Sequence, residues 1–334
     1  CFIDSAFCVN RYYIHTLTCQ NLLTEHGSES WKFWITRVKV IVMRSFRTIL
    51  TLVSLFFYSQ LLAEDTTRIL NAASDQQLQQ ALQALVEQQG LASAVKAKEL
   101  ALVLVIVTDP EKPRLAELNG RNMVYAASLP KIAILLGAAV AIDEGRLELN
   151  DELQTEMDNM IRYSCNDCAT RVLELVGREE LLKILQSPKY GFYNQKGNGG
   201  LWVGKDYGPS TAYRRDPLSG LSHGATAFQA ARFYYELQTG NLVSPEQTEM
   251  MLDVLSNPGV NHKFVKGLQA YSDLEIHRKS GSWRTYHADS ALIRGDGFAY
   301  IIVALANNAN GGVWLEQLAA PLHKLAVSHN KTTP

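Results

Sequence analysis

The sequence predicts an α+β protein of α/β-sandwich type, in which an antiparallel sheet is flanked by N- and C-terminal helices and carries an all-helical lobe. Apolar residues recur at helical spacing over residues 75–89, and residues 101–108 form an almost unbroken apolar run that is typical of a buried strand. Helix signals dominate residues 150–266, and the segment after them returns to strand-like patterns. This order of elements favours one sheet covered by the terminal helices, with the helical lobe at its edge.

Turn and capping residues place the individual elements. A turn at Asp109-Pro110 separates the first strand from a hairpin partner over 114–118, and a helix that begins close to Ser128 ends near Gly145. Further helices are predicted from residue 166 or 167 to 175, from 226 to 237 and from 244 onwards, strands over 273–278, 288–294 and 298–306, and a closing helix over 314–327. The α/β lobe would comprise about 75–149 and 267–327, and the helical lobe about 150–266.

The composition is that of a chain with a large core and little net charge. The 334 residues are 47% hydrophobic and carry a net charge of -1, which gives no electrostatic reason to expect a nucleic-acid partner. The first methionine is Met43, basic Arg44 and Arg47 follow it, and an uncharged apolar run ends at Ala63. This pattern predicts a secretory signal peptide over residues 43–63.

A signal peptide that starts at the first methionine leaves residues 1–42 as a spurious upstream extension, and the mature chain would be a single domain over 64–334. We expect this domain to be exported to the periplasm as a monomer, with secretion as the alternative destination. No stable membrane anchor would remain after cleavage. An uncleaved anchor is the alternative interpretation, although the apolar run is short for a membrane-spanning helix.

Two of the five cysteines, Cys165 and Cys168, lie in the predicted mature chain. Their C-x-x-C spacing allows a redox motif or a disulfide, but no thioredoxin-like βαβ pattern surrounds them. We therefore expect two small residues at the start of a helix. No cluster of histidine and cysteine has the spacing of metal ligands, so the sequence predicts neither a metal site nor another cofactor.

The segment 127–136 places a nucleophile beside a candidate base. Ser128 and Lys131 are three residues apart, so on a helix they would share one face and the amine would reach the hydroxyl. Pro130 is suited to a first helical turn, and the apolar residues after Lys131 would bury the helix. A capped surface helix is the alternative, because S-x-x-K alone is a short motif.

Two further motifs follow along the chain. The three motifs are Ser128-Leu-Pro-Lys131, Ser164-Cys165-Asn166 and Lys279-Ser280-Gly281. In this order and approximate spacing they resemble the motifs of the penicillin-recognising serine enzymes, meaning class A β-lactamases and penicillin-binding proteins. The resemblance spans about 75–327 and is nearer to the class A branch. It implies the β-lactamase/transpeptidase-like fold, a β-lactam or a peptidoglycan stem peptide as substrate, and no cofactor.

The resemblance also implies roles for the first two motifs. Ser128 would attack a carbonyl carbon and form an acyl-enzyme, and Lys131, made less basic by burial and by a neighbouring cation, would take its proton. Ser164 would pass a proton to the leaving nitrogen, and Asn166 would hold the substrate's side-chain carbonyl. Cys165 stands where β-lactamases usually have aspartate, so the sequence does not show which contacts support this loop.

The third motif would form the strand edge that lines the pocket. Lys279 and Ser280 would bind a substrate carboxylate, and Gly281 would let the substrate backbone approach closely. The N–H groups of Ser128 and Ser282 would form the oxyanion hole, in which one donor is worth about 3 kcal/mol in other hydrolases. A cationic strand end without a binding role is the alternative.

Class A β-lactamases carry a glutamate after the second motif that activates the deacylating water, and this chain has no glutamate over 181–235. Asp206 and Asp216 are the acidic residues of that stretch and are the candidates for the role. A loop-bracing ion pair of Asp216 with the preceding arginines is the alternative. Arg278 and Arg284 are candidates for a second carboxylate anchor, or else solvated surface charges. The sequence therefore predicts intact acylation and leaves turnover open.

Three functions are consistent with these motifs. The first is a serine hydrolase of the class A β-lactamase type, which is acylated at Ser128 and hydrolyses the β-lactam amide bond. The second is a D,D-peptidase or related cell-wall amidase or esterase, similar to penicillin-binding proteins. β-Lactams would acylate this enzyme, and its deacylation would be slow. The third is a non-catalytic protein that binds peptidoglycan, and three complete motifs make it the least favoured.

Overall fold

The computed structural model describes residues 68–330, so the predicted signal peptide (43–63) and upstream extension (1–42) lie outside the described residues. From residue 76 the elements are α1 (Gln76–Gln88), α2 (Ala92–Lys96), β1 (Leu100–Ile106), β2 (Arg114–Leu118), β3 (Val124–Tyr125), α3 (Lys131–Asp143), α4 (Asp151–Arg162), α5 (Asn166–Val176), α6 (Arg178–Gln186), β4 (Tyr193–Asn194), β5 (Gly199–Gly200), β6 (Trp202–Val203), β7 (His223–Ala225), α7 (Ala227–Gln238), α8 (Pro245–Leu255), α9 (Phe264–Gly267), β8 (Glu275–Trp283), β9 (Tyr286–Gly295), β10 (Phe298–Asn307) and α10 (Gly311–Asn330). Within this range no helix combines the length and the apolar character needed to cross a bilayer.

The main sheet is antiparallel and five-stranded, in the order β2-β1-β10-β9-β8. Strand β1 is an unbroken apolar run because it is buried on both faces. Successive side chains of a strand point to opposite faces, so Leu102 and Leu104 pack in one core with α1 and α10, while Val103 and Val105 lie in a second core with α3 and α7. The predicted α+β class, with terminal helices over an antiparallel sheet, is confirmed. The lobe that we expected to be all-helical differs, because it also contains the short strands β4 to β7.

The second core surrounds α3. A surface helix shows one apolar stripe, but α3 is buried on all sides from Lys131 to Ala141, as a helix with apolar residues all round requires. Helices α4, α5, α6 and α8 pack around it. It ends where predicted, since Gly145 adopts a φ of +68°, a left-handed conformation that glycine tolerates without a Cβ. The burial of α3 fixes its first residue, Lys131, inside the protein.

Two predicted helix starts are confirmed and two other boundaries differ. Thr226 and Ser244 cap α7 and α8, each accepting a backbone N–H from three residues further on. We expected one of the two residues after Cys165 to cap α5, but Cys165 itself is the cap. Strand β8 runs past residue 278 to Trp283, because its pairing with β9 continues to the tip of the hairpin. The whole third motif therefore lies within a strand.

Candidate active site

Ser128 lies in the turn that leads from β3 into α3. The residue before it, Ala127, has a φ of +50°, a left-handed conformation that costs a non-glycine residue about 1–3 kcal/mol. The Tyr207 hydroxyl donates to the Ala127 carbonyl at 3.3 Å, and the Ala126 N–H donates to the His223 carbonyl at 3.0 Å. These contacts hold the strained turn from β7 and from the loop before it.

Lys131 is fully buried, and its amine joins the first motif to the second. Nζ donates to the carbonyls of Ser164 (2.6 Å) and Cys165 (3.1 Å) and to Asn166 Oδ1 (2.9 Å). It also lies 3.5 Å from Ser164 Oγ. We expected this amine at the Ser128 hydroxyl, but residues 68–330 contain no hydrogen bond between the two. Catalytic hydrogen bonds often form fully only with substrate bound, so the apo geometry leaves Lys131 a candidate base.

Burial lowers the pKa of Lys131 to about 7. The cause is the loss of water around the ammonium, which disfavours the charged form. At neutral pH roughly half of the molecules would carry a neutral amine, the form that can accept a proton. The ring of Tyr207 packs against this amine, with its centre 4.6 Å from Nζ.

We expect the rate at which Ser128 is acylated to rise with pH through about 7. The neutral amine is the active base, so the rate should be lost as the pH falls below the pKa of Lys131 and should level off above it. The decrease from about pH 8 to about pH 6 should be about tenfold. Pre-steady-state acylation by a fluorescent penicillin measures this profile. A flat profile over that interval would contradict the role of Lys131.

The second motif begins at Ser164, whose φ is +60°, and continues into a disulfide. Cys165 and Cys168 are bonded to each other, contrary to our expectation of two unlinked small residues. Their Cα atoms lie 5.4 Å apart across the helix start, a distance that a disulfide spans without any thioredoxin-like surroundings. Cys165 Sγ also accepts the Cys168 N–H at 3.1 Å and so caps α5. The disulfide and the Lys131 bonds together support this loop.

Lys279 connects the third motif to the second. Its Nζ donates to Ser164 Oγ at 3.0 Å and to the Ser280 carbonyl at 2.8 Å. Burial, and after it the charge of Lys131, holds the pKa of Lys279 well below its usual range. Because Ser164 Oγ accepts from Lys279, its own proton is free to be donated to a third group.

Strand β8 passes close to the nucleophile turn at Gly281. A Cβ at this position would lie 2.7 Å from Ser128 N and 2.3 Å from the Ala126 carbonyl oxygen, so the close approach requires glycine. Ser282, the next residue, is exposed. The two N–H groups predicted for the oxyanion hole, on Ser128 and Ser282, therefore belong to segments in direct contact.

Two residues that the sequence did not point to support the third motif. The Lys263 amine donates to the Gly281 carbonyl at 2.6 Å and to Ser282 Oγ at 2.8 Å, and burial lowers the pKa of Lys263 to about 8. His262 Nε2 lies 3.0 Å from Ser280 Oγ. Both residues lie between α8 and α9, in a segment without a motif or a periodic pattern, so no signal was available to find them.

A cleft of about 420 Å³ is bordered by the first and second motifs and by the residue that follows the third. Ser128, Asn166 and Ser282 line it, together with Tyr207 and His223. No carboxylate is found among the described residues that line it. In residues 68–330 there is also no group of three or more His, Cys, Asp or Glu side chains arranged to hold a metal ion. The chemistry that this arrangement offers is therefore that of hydroxyls, amines and an imidazole.

The two acids considered for deacylation make other contacts. Asp206 forms a bidentate ion pair with Arg178, with N–O distances of 2.7 and 2.8 Å. Asp216 is buried, accepts from the Tyr193 hydroxyl at 3.0 Å and accepts backbone N–H groups of its own loop. It therefore braces the loop through hydrogen bonds and not through the arginine ion pair that we considered. Neither carboxylate lines the cleft.

Arg278, one of the two arginines considered as carboxylate anchors, cannot bind a substrate carboxylate. Its side chain is 3% exposed and pairs with the fully buried Asp289 at 2.7 and 2.8 Å. Side chains alternate along β8, and Arg278 points into the protein. Arg284 instead lies exposed at the tip of the β8–β9 hairpin, with its guanidinium carbon 5.5 Å from the centre of the Trp283 ring.

Comparison with solved structures shows the fold. A β-lactamase from Sphaerobacter thermophilus is 19% identical, with a TM-score of 0.57, over 74% of this chain and 98% of its own. PBP-A is 18% identical, with a TM-score of 0.55, over 75% of this chain and 97% of its own. A class A β-lactamase representative from Bacteroides cellulosilyticus is 15% identical, with a TM-score of 0.56, over 75% of this chain and 99% of its own. A search of curated proteins found no match.

A family-level match covers the second and third motifs. The profile of the Beta-lactamase enzyme family matches residues 153–326, just over half of the 334-residue chain. Ser128 and Lys131 lie just before this stretch, and hydrogen bonds of Lys131 tie them to it. The extent of the match, on a fold shared with solved β-lactamases and PBP-A, shows that the chain belongs to the Beta-lactamase enzyme family.

Proposed function

We propose that this protein is a serine enzyme that β-lactams acylate at Ser128 and that hydrolyses the resulting acyl-enzyme slowly. Its activity would be like that of a D,D-peptidase or related cell-wall amidase or esterase. Its natural substrate would be an amide bond of a peptidoglycan stem peptide. One observation carries this choice: no carboxylate lines the cleft among the described residues, whereas the nucleophile Ser128 and both residues of the expected oxyanion hole do.

Acylation uses the contacts described above. Ser128 Oγ attacks the carbonyl carbon, its proton passes to the neutral Lys131 amine, and the N–H groups of Ser128 and Ser282 stabilise the negative oxygen. The Ser164 hydroxyl then gives its proton to the leaving nitrogen as the C–N bond breaks. Ser164 regains a proton from the Lys131 ammonium, whose Nζ lies 3.5 Å away. An ester on Ser128 and a neutral Lys131 remain.

Rapid deacylation of the class A type uses a carboxylate to remove a proton from water beside this ester. Asp206 is bound to Arg178 and Asp216 is buried in its own loop, so neither supports the step. We therefore expect the ester to persist. A point mutant of PBP-A has been solved as an acyl-enzyme complex with penicillin G, and it is 20% identical to this protein, with a TM-score of 0.54, over 75% of this chain and 98% of its own. The same adduct is the one that we propose for Ser128.

Hydrolytic turnover of the class A β-lactamase type is the second candidate, and His223 is the observation that favours it. The imidazole lines the cleft, and its Nε2 lies 2.9 Å from the Lys205 carbonyl. A carbonyl only accepts, so Nε2 carries the hydrogen and Nδ1 is the acceptor. Burial lowers the pKa of His223 to about 4, which keeps the ring neutral but makes it a weak base.

We also propose that the protein acts as a monomer in the periplasm or outside the cell. The predicted signal peptide supports export. The Cys165–Cys168 disulfide supports it as well, because disulfides persist in oxidising compartments and are rare in reducing ones.

The test is intact-mass spectrometry of the purified chain during exposure to penicillin G and to a chromogenic cephalosporin. We expect one covalent adduct per chain, which persists for many minutes after free drug is removed, with little steady colour release. Ser128→Ala should form no adduct. Ser93→Ala, which changes an exposed serine of α2, is the matched control and should react like the parent.

Each other outcome has a definite meaning. Steady colour release without accumulated adduct would replace this proposal with hydrolysis of the class A type. Absence of both adduct and colour release would leave only non-catalytic binding of peptidoglycan. Reaction of Ser128→Ala at the rate of the parent would show that the nucleophile is another residue.

A further inference from the structure

A second cavity, of about 620 Å³, adjoins the cleft and shares Tyr125, Lys205 and Trp283 with it. A ligand long enough to reach past these shared residues would contact both the cleft and the cavity. We call it the basic groove. It is defined by Lys205, Arg215 and Arg284 together with Tyr125, Trp283 and Tyr286.

The three cations of the basic groove pair with no carboxylate among the described residues. Arg215 donates to a backbone carbonyl of its own loop at 2.9 Å, and Arg284 lies over the Trp283 ring. The neighbouring Arg214 differs, since it pairs with Glu179 at 3.0 Å. No acidic residue of the described chain lines the groove. Its positive charge is therefore uncompensated, and a concave surface focuses such a field on a bound ligand.

Aromatic rings form the rest of the binding surface. Trp283 is 55% exposed, so part of its ring surface is open to a ligand. The rings of Tyr125 and Tyr286 meet edge to face, with their centres 5.2 Å apart. Such surfaces bind planar or apolar groups while neighbouring cations hold a charged one. The groove thus suits a ligand that carries a planar or apolar group together with a negatively charged group.

The direction of β8 assigns the basic groove to one side of the scissile bond. Lys279 and Ser280, which we expect to bind the leaving-group carboxylate, come before Ser282, and Trp283 comes after it. At about 3.3 Å per residue, Lys279 and Trp283 are roughly 13 Å apart along the strand. A carbonyl held at the Ser282 N–H therefore has its leaving group toward Lys279 and its acyl group toward the groove.

We propose that the basic groove is the subsite for the acyl part of the substrate and that it selects substrates with a carboxylate there. This inference rests on the function proposed above, because it needs Ser128 to be acylated. Two sources share the required chemistry. One is a stem peptide with a free side-chain or terminal carboxylate on its acyl portion, and the other is a β-lactam with an acidic acyl side chain.

The test compares acylation of the full chain by penicillin G and by carbenicillin, which differ by one carboxylate on the acyl side chain. At about 50 mM salt, where surface charges are weakly screened, carbenicillin should acylate Ser128 about tenfold faster than penicillin G. In about 0.5 M salt the ratio of the two rates should fall towards one. It should also fall in Arg215→Gln and in Arg284→Gln.

Arg214→Gln is the matched control, because Arg214 is the chain neighbour of Arg215 but pairs with Glu179 outside the groove. The ratio of rates should not change in this variant. A second pair of substrates identifies the source of the carboxylate: one tripeptide ending in D-alanyl-D-alanine, capped with either an acetyl or a succinyl group. Faster release of D-alanine from the succinyl peptide indicates stem peptides, whereas a preference confined to carbenicillin indicates an acidic β-lactam.

The two proposals can fail separately. A ratio of one or less in the parent, with Ser128 still acylated, would overturn the subsite and leave the proposed function standing. A ratio above one that neither Arg215→Gln nor Arg284→Gln changes would overturn the subsite too. If no compound acylates Ser128, the proposed function and the subsite are both overturned.

Discussion

Replacing Lys131 with methionine should slow the acylation of Ser128 by about 10²- to 10⁴-fold, the range that general-base groups contribute. Methionine keeps an apolar stem of similar length in the buried position, but it has no amine to take the Ser128 proton or to return one to Ser164. Stopped-flow acylation by a fluorescent penicillin measures the rate. The variant should also lose the rise of the rate with pH through about 7.

Two further variants separate the base from the hydrogen-bond donor. Lys131→Arg can still donate to the carbonyls of Ser164 and Cys165 but stays charged, so it should be as slow as the methionine variant. Lys112→Met, in an exposed turn, is the matched control and should leave the rate unchanged. If Lys131→Met folds with the melting temperature of the parent and still acylates within a few fold of it, Lys131 is not the base.

The sequence predicted those parts of the site that short spacing encodes. Ser128 and Lys131 are three residues apart ahead of an apolar run, which predicted a buried helix with a polar start, and α3 has this form. The contact between Lys279 and Ser164 could be expected only from the family resemblance, because no spacing rule connects residues so far apart. Even the local prediction was incomplete, since the Lys131 amine is bonded to the second motif.

Buried charges could not be predicted from the sequence. Lys263, Arg278 and Asp289 are residue types that usually lie on the surface, and they are buried here because distant segments supply their partners. The disulfide was missed for a related reason. The spacing of Cys165 and Cys168 allowed it, but whether the side chains face each other depends on the backbone of the turn before α5.

The same long-range contacts determine the charge of the site. In the described chain the buried Lys263, Lys279 and Arg278 lie near the buried carboxylate of Asp289, and Lys131 lies near Lys279. Burial is the main cause of the low pKa values of these lysines, and for Lys279 the charge of Lys131 adds to it. The contacts that remove water from the Lys131 amine therefore also make it a usable base.

Replacing Asp289 with asparagine should lower the free energy of unfolding by about 3–5 kcal/mol, because the buried Arg278 guanidinium loses its carboxylate. The two oxygens of Asp289 also accept the N–H groups of Phe264 and Ser290, each at 3.1 Å. An asparagine amide group has one oxygen, so it cannot replace both acceptors. Urea denaturation measures the change.

Whether this ion pair only stabilises the fold, or also positions the site, can be decided with a second variant. Arg278 donates to carbonyls of the segment that carries Lys263, so the pair fixes the support of the third motif. The double variant Arg278→Met with Asp289→Leu removes both charges of the pair and should recover most of the lost stability. Glu144→Gln, which breaks the exposed pair with Arg146, is the control and should cost less than about 1 kcal/mol. A double variant that is stable but is acylated slowly would assign the pair a positioning role. A decrease of less than about 1 kcal/mol in the free energy of unfolding of Asp289→Asn would contradict the expected contribution to stability.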